Sequence, residues 1–171
     1  MRIEIASDDD SGARFSQIYE RGALEFDQSE LRLAEPVKVT GQVLRKSGEI
    51  ELRGELYTRV ALPCGRCLKE VELPIEVKFA ERYAAAISWR SEEHHELSSD
   101  DLDLALVDGE AVELDDLVRE EILLALPGQV LCSESCKGIC PNCGADRNAG
   151  DCNCQSEQVD SRWEKLKDFR L

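Results

Sequence analysis

The sequence predicts an α+β fold: an antiparallel β-meander, barrel-like if its edges meet, with one main helix and a C-terminal cysteine-rich zinc module. Three observations support this prediction. Apolar and polar residues alternate with period two along three long stretches between 36 and 79, which indicates half-buried antiparallel strands with one wet face. One helical pattern follows at 115–126, and six of the eight cysteines then lie between Cys132 and Cys154.

The length of 171 residues fits one domain with a small appendage. We expect residues 1–131 to form the β scaffold with an acidic loop and the helix. Residues 132–171 are expected to form a zinc knuckle and a C-terminal helix, stapled to the scaffold through Cys64 and Cys67. The core must be aliphatic, since aromatic residues make up only 5% of the chain.

The first stretches of the chain carry weak signals. Ile3 and Ile5 alternate with polar neighbours, which predicts a short strand at 2–6. The pattern at 16–25 is weaker and suggests no more than a helical turn.

The meander is the strongest local prediction. Its strands lie at 37–43, 50–62 and 71–79, and the Cys64-Gly-Arg-Cys67 turn joins the last two. A turn between paired strands can present two metal ligands rigidly. Pro74 cannot donate a ladder hydrogen bond, so its strand should run along an edge or carry a bulge.

The residues after the meander turn acidic. Residues 84–101 lose periodicity, and His94 and His95 lie there among glutamates, which favours a solvated loop over a metal site. Alternating leucines at 102–106 precede Asp108-Gly109, which predicts a hairpin turn.

The helix is predicted from Asp115 to Leu126, before Pro127. Its apolar face comprises Leu117, Val118, Ile122 and Ala125. Its acidic residues Asp115, Asp116, Glu120 and Glu121 are interpreted as capping and solvated charges rather than catalytic groups.

The net charge of −15 argues against a general nucleic-acid or membrane binder. Residues 92–121 contain 13 acidic residues and one basic residue, Arg119, so they carry −12 and the remainder carries −15 + 12 = −3. This acidic segment could mimic a polyanion and hold a basic protein. The candidate contacts are Asp100, Asp101, Asp103 and Glu110.

The cysteine spacing predicts two zinc ions. Cys140-Pro-Asn-Cys143-Gly is a tight turn, and Cys152 and Cys154 complete a C-x2-C-x8-C-x-C pattern with four soft ligands for tetrahedral zinc. The four remaining cysteines would form a second, long-range site. They are Cys64, Cys67, Cys132 and Cys136.

Other arrangements remain open at this point. One alternative groups Cys132, Cys136, Cys140 and Cys143, which leaves Cys64 and Cys67 with Cys152 and Cys154. Disulfides, redox-active thiols or an iron–sulfur cluster would also use cysteines. The chain opens without an apolar signal core, so we expect a cytoplasmic protein whose thiols stay reduced.

The motifs show no catalytic constellation, and we expect neither enzymatic activity nor a small-molecule substrate. Four cations adjoin the cysteine motifs and are candidate RNA contacts: Arg66, Lys69, Lys137 and Arg147. A capping box at Ser161–Glu164 predicts a terminal helix in which Trp163 packs on the zinc module.

The motifs together resemble a known family. They are Cys64-Gly-Arg-Cys67-Leu68 after a meander, an acidic helix ending Leu-Ala-Leu-Pro127, Leu131-Cys132-x3-Cys136-Lys-Gly-Ile-Cys140-Pro-Asn-Cys143-Gly, Asn148, Cys152-Asn-Cys154 and Asp160-Ser-Arg162-Trp-x2-Leu166. In this order they resemble the YceD-like family of large ribosomal RNA subunit accumulation proteins, which has bacterial and plastid members. The resemblance implies a cytoplasmic, non-enzymatic protein needed for normal accumulation of large-subunit ribosomal RNA, whereas zinc is inferred from the spacing alone.

The leading hypothesis is therefore a ribosome-biogenesis factor that binds precursor ribosomal RNA or a ribosomal protein. A zinc-thiol redox sensor and a generic protein-interaction module are the alternatives.

Overall fold

The computed structural model describes residues 1–5, 12–27, 30–46, 49–86, 102–109, 111–154 and 162. Within these ranges the chain forms eight strands and one helix. The strands are β1 Arg2–Glu4, β2 Ala13–Tyr19, β3 Arg32–Leu33, β4 Val37–Lys46, β5 Glu49–Pro63, β6 Glu70–Ala85, β7 Leu104–Val107 and β8 Ala111–Glu113. The helix, α1, is Leu114–Leu124.

The predicted meander is confirmed. Strands β4, β5 and β6 pair antiparallel in chain order. The β5–β6 register runs from Glu49↔Ala84 to Pro63↔Glu70 without a slip, so no bulge interrupts it. Among the described residues, Pro74 pairs with Arg59 on one side only, because β7 joins β6 at Arg82–Ala85. Pro74 therefore occupies an edge stretch, where its missing N–H costs no ladder bond.

The helical turn suggested within 16–25 is wrong for 16–19, because β2 runs antiparallel to β4 from Ala13↔Val43 to Tyr19↔Val37; a turn closed by the Ala23 N–H and the Glu20 carbonyl follows the strand. Phe15 and Tyr19 are buried, whereas Ile18 is 55% exposed on the outward face. Because Ile18 is apolar although it faces solvent, the sequence of β2 does not show a clear alternation of apolar and polar residues.

The hairpin turn predicted at Asp108-Gly109 is also wrong. Strand β7 pairs parallel with β6, and β8 pairs antiparallel with β1 in a separate two-stranded sheet. The turn thus passes the chain from one sheet to the other. The main sheet follows the order β2-β4-β5-β6-β7, with β3 beside β5. No pairing among the described strands joins β2 to β7, so the sheet is open and not a barrel.

The core lies between the inner face of the sheet and α1. Leu52, Leu56 and Val60 of β5 are at most 1% exposed, and they share one cluster with Leu117 and Ile122 of the helix. Side chains of β4, β5 and β6 alternate between this core and solvent, as period two requires. Among the described residues, no helix is both long and apolar enough to cross a bilayer.

A glycine pair lies at the centre of the sheet. Gly41 of β4 is registered with Gly54 of β5. A Cβ added to Gly41 would lie 2.5 Å from Cζ of Phe15, and one added to Gly54 would lie 2.6 Å from Cζ of Phe79. The two rings fill the space over the glycines on the core side, so any larger residue would displace them.

Candidate metal centre

The fold brings the eight cysteines together in two clusters, and in each cluster all ligand atoms lie within 4.8 Å of one another. Cluster A comprises Cys64, Cys67, Cys132 and Cys136. Cluster B comprises Cys140, Cys143, Cys152 and Cys154. These are the two sets that the sequence spacing favoured over the competing partition.

The Cys64–Cys67 turn of cluster A connects β5 to β6. The Cys64 N–H donates to the Lys69 carbonyl at 2.8 Å, and the Leu68 N–H donates to the Cys64 carbonyl at 2.9 Å. Leu68 takes a left-handed backbone with φ 61°. These bonds close a tight loop that points both sulfur atoms the same way.

The Cys140–Cys143 turn of cluster B repeats this pattern. The Cys140 N–H donates to the Ala145 carbonyl at 2.8 Å, and the Gly144 N–H donates to the Cys140 carbonyl at 2.8 Å. Gly144, in the position equivalent to Leu68, has φ 74°. The two C-x2-C motifs therefore form the same local structure, although one lies between long strands and the other in a short irregular segment.

Backbone N–H groups aimed at sulfur stabilise a thiolate in each turn. The N–H groups of Arg66 and Cys132 are the strongest of those that lower the pKa of Cys64 to about 6. The N–H groups of Cys143 and Asn142 lower the pKa of Cys140 to about 6 in the same way. Donors preorganised around an anionic sulfur are what a metal-bound thiolate requires.

The partner thiols resist ionisation, because four sulfurs so close cannot all carry charge without a cation. Hydrogen bonds with Cys136 and Cys67 raise the pKa of Cys132 to about 12. Those with Cys143 and Cys140 raise the pKa of Cys154 to about 12. A divalent cation would remove this repulsion.

The sulfur spacing fits a tetrahedral metal. The Cys64 and Cys136 sulfurs are 3.9 Å apart, and those of Cys67 and Cys132 are 3.6 Å apart. A metal with bonds to sulfur of about 2.3 Å in tetrahedral geometry separates its ligands by about 3.8 Å. A disulfide needs about 2.05 Å, and all eight thiols are free. The residues of both clusters therefore fit a thiolate-bound metal, and the geometry does not specify which one.

The two clusters differ in burial. Cys64, Cys67 and Cys136 are at most 7% exposed and pack with Val71 and Leu131. In cluster B only Cys140 is buried, while Cys143 and Cys154 are exposed. Cluster A thus joins the C-terminal cysteine segment to the β5–β6 turn, whereas cluster B lies outside the scaffold.

Backbone contacts lock the clusters to each other. The Ile139 N–H donates to the Arg66 carbonyl at 3.0 Å. Gly138 has φ 73°, and a Cβ added there would lie 2.8 Å from the Arg66 oxygen. The segment leading into cluster B therefore lies directly on the Cys64–Cys67 turn of cluster A.

Asp146 and Asn148 add a polar link that the motif analysis missed as a site feature. The Asn148 amide donates to the Cys136 sulfur at 3.5 Å and to Asp146 Oδ1 at 2.8 Å, and its own oxygen accepts from the Lys137 N–H at 2.8 Å. Asp146 also pairs with Lys69 at 2.7 Å, which lowers the pKa of its carboxyl to about 2. The available signal was an Asp-x-Asn sequence inside the C-x8-C spacer.

The four cations predicted to bind RNA all lie exposed around the clusters. Two of them have structural partners. The Arg66 guanidinium donates to the Cys136 carbonyl at 2.9 Å, and Lys69 pairs with Asp146. Lys137 and Arg147 contribute their backbone N–H groups to the same network.

Several other predicted residues lie outside the described part of the chain. They are Asp100, Asp101, Glu110, His94, His95 and the helix predicted at 161–171, apart from Arg162. Asp103 is described and exposed, just before β7. On α1, Glu121 is only 9% exposed, so its interpretation as a solvated charge is wrong.

Known proteins match the part of the chain that contains both cysteine clusters. A family model described as "Large ribosomal RNA subunit accumulation protein YceD" matches residues 52–170. The uncharacterized protein YlbN of Bacillus subtilis is 30% identical over 154 residues, which is 90% of this chain and 85% of that protein. The uncharacterized protein Rv2926c of Mycobacterium tuberculosis is 30% identical over 103 residues, covering 60% of this chain and 47% of that one.

A plant protein also matches. The large ribosomal RNA subunit accumulation protein YCED homolog 1, chloroplastic, of Arabidopsis thaliana is 25% identical over 166 residues, covering 79% of this chain and 49% of its own. The chain thus spans about half the length of these plant and mycobacterial relatives. No solved structure matches the chain.

Proposed function

The chain belongs to the YceD family of large ribosomal RNA subunit accumulation proteins, and from this premise we propose that it is a non-enzymatic ribosome-biogenesis factor of the cytoplasm. It supports accumulation of large-subunit ribosomal RNA by binding precursor RNA or a ribosomal protein. The observation that carries this proposal is the family match at 52–170, which includes β6, β7, most of β5, α1 and both cysteine clusters.

Within this function, the two clusters hold two zinc ions. The support is an all-thiolate donor set, spacing suited to tetrahedral coordination and backbone donors aimed at sulfur. Four protein ligands leave no open coordination position, so the metal would supply cross-linking and no chemistry. Elemental analysis of freshly purified, reduced protein should find two zinc ions per chain. Protein that contains neither zinc nor iron would contradict the metal assignment.

The binding partner is a component of the large subunit. A basic ribosomal protein would be attracted by the segment 92–121, whose charge is −12. Precursor RNA would instead need local cations on a chain of net charge −15. Screening permits this, because repulsion between exposed charges extends only about 8 Å at physiological salt.

Affinity purification of the full-length protein from growing cells tests the proposal. We expect enrichment of large-subunit components, and depletion of the protein should lower large-subunit relative to small-subunit ribosomal RNA. Neutralising Asp100, Asp101, Asp103 and Glu110 should release a basic protein partner, whereas an RNA complex should survive that change and the removal of bound protein. Unchanged large-subunit RNA after depletion, with no large-subunit component enriched, would overturn the proposal.

A further inference from the structure

The outward face of the main sheet is a regular array of exposed side chains. It comprises the outward residues of 14–18 on β2, 38–42 on β4, 53–57 on β5 and 76–80 on β6, and we call it the sheet platform. The ladder registers place these side chains in rows across the strands, such as Ile18, Lys38, Tyr57 and Glu76. All four are exposed.

A groove of ≈ 670 Å³ crosses the platform. Its floor includes Phe15, Gly41 and Gly54, and Arg14 and Lys78 contribute to its walls. The phenylalanine rings fill the core side of the glycine pair. On the outward side the backbone of this row lies between two rows of exposed side chains, one containing Arg14 and the other Lys78. The groove therefore suits an extended ligand lying across the strands.

The charge of the platform is opposite to that of the whole chain. It carries four cations, Arg14, Lys38, Arg53 and Lys78, whereas its anions are Glu55 and Glu76, so its local charge is 4 − 2 = +2 on a chain of −15. Arg53 already pairs with Glu51 at 2.6 Å.

The other three platform cations are available. Arg14, Lys38 and Lys78 form no ion pair within the described ranges, whereas Lys69 at the cysteine turns pairs with Asp146. These three cations retain their charge for an anionic ligand.

The platform also presents an aromatic ring. Tyr57 is 41% exposed and lies between Lys38 and Glu76 in its row. Sheets that bind single-stranded nucleic acid combine exposed aromatic side chains, which stack on bases, with cations that follow the phosphates. A protein ligand would not require this combination.

We propose that the sheet platform binds single-stranded RNA, with Tyr57 stacked on a base and Arg14, Lys38 and Lys78 on phosphates. This inference rests on the proposed function, because it gives the RNA-binding form of that function a surface. It places the RNA contact on the outward side chains of the main sheet rather than on the cations of the cysteine turns.

Fluorescence anisotropy with the full-length, metal-loaded protein and a labelled oligouridine of about 16 nucleotides tests the proposal. Changing Arg14, Lys38 and Lys78 to Gln should weaken binding and flatten the plot of log affinity against log salt by about 2 units, at about 0.7 per contact. Tyr57→Ala should weaken binding by roughly 5- to 150-fold with the slope unchanged. Glu55→Gln, which removes a nearby anion, should tighten binding.

The control changes Lys137 and Arg147 to Gln, two exposed cations that form no ion pair within the described ranges, and should leave the affinity unchanged. Metal content and far-UV circular dichroism must match the parent protein in every variant. Loss of binding in the control but not in the platform variants would overturn the proposal, as would a full-length protein that does not bind the oligonucleotide. If that protein still enriches a basic ribosomal protein from cells, the sheet-platform inference fails while the proposed function stands.

Discussion

Gly138→Ala should destabilise the cysteine segment more than Gly144→Ala. The two glycines form a matched pair, since both have left-handed backbones, with φ 73° and 74°. They differ in their surroundings. A Cβ at Gly138 would lie 2.8 Å from the Arg66 carbonyl oxygen, whereas nothing lies within 4 Å of one at Gly144.

The expected magnitudes follow from this difference. Placing alanine in a left-handed conformation costs about 1–2 kcal/mol, partly offset by the lower entropy of the unfolded chain, so Gly144→Ala should cost about 1 kcal/mol. Gly138→Ala carries the same cost plus overpacking of about 1–3 kcal/mol, because the atom it meets is backbone. Relief would require the segment to move off Arg66, which breaks the Ile139 hydrogen bond to that carbonyl.

Urea unfolding at a fixed free zinc concentration, followed by proteolysis within 129–154, would measure both changes. We expect Gly138→Ala to lose about 2–4 kcal/mol and to expose the segment to protease, and Gly144→Ala to remain near 1 kcal/mol. Equal losses for the two variants would show that the docking of cluster B on the Cys64–Cys67 turn is not as close as the structure has it.

Three further predictions concern the clusters and the helix. Cys64→Ser should lose one metal ion and leave cluster B loaded, whereas Cys152→Ser should do the reverse; if both variants empty the same cluster, the grouping is wrong. Asn148→Ala removes an amide donor to the Cys136 sulfur and should weaken metal retention by cluster A roughly 10- to 100-fold in a chelator competition; an unchanged competition curve would contradict this role. Burial, followed by the charges of Glu81 and Glu120, raises the pKa of Glu121 above its ordinary 4.5. Ionisation of Glu121 therefore destabilises the folded protein as the pH rises above 4.5, so Glu121→Gln should raise the unfolding midpoint at pH 8, with the gain shrinking towards pH 5. A gain independent of pH would refute this origin.

The parts of the fold that could be predicted depend on local spacing. The meander follows from period two in β4, β5 and β6, and the C-x2-C turns follow from Pro, Gly and sulfur spacing. Strand β2 was missed because Ile18 is apolar on the wet face. The partners of β7 and β8 were missed because a period specifies a strand but not its neighbour.

The surroundings of the clusters were less predictable for the same reason. Asp146 and Asn148 act through Lys69 and Cys136, which are distant in sequence or on another turn. The burial of Glu121 depends on how α1 packs against the sheet, and Glu121 lies beyond the first helical turn, the part of the helix in which the dipole would favour an acidic residue.

The wide sequence separation of the cluster A ligands determines when this cluster can bind metal during synthesis. Its Cys67 and Cys132 sulfurs meet across 65 residues of chain. A cross-link over that span raises the free energy of the unfolded chain by about 4 kcal/mol, because it removes conformational entropy. During synthesis the first two ligands emerge long before the last two, so the loop can close only after β6, β7, β8 and α1 have left the ribosome. Cluster B is completed later in synthesis, but its ligands span only residues 140–154, so it needs no distant strand. Metal capture by cluster A would therefore report that folding has brought the β5–β6 turn and the C-terminal cysteine segment together, whereas capture by cluster B would report only that its own segment has been made.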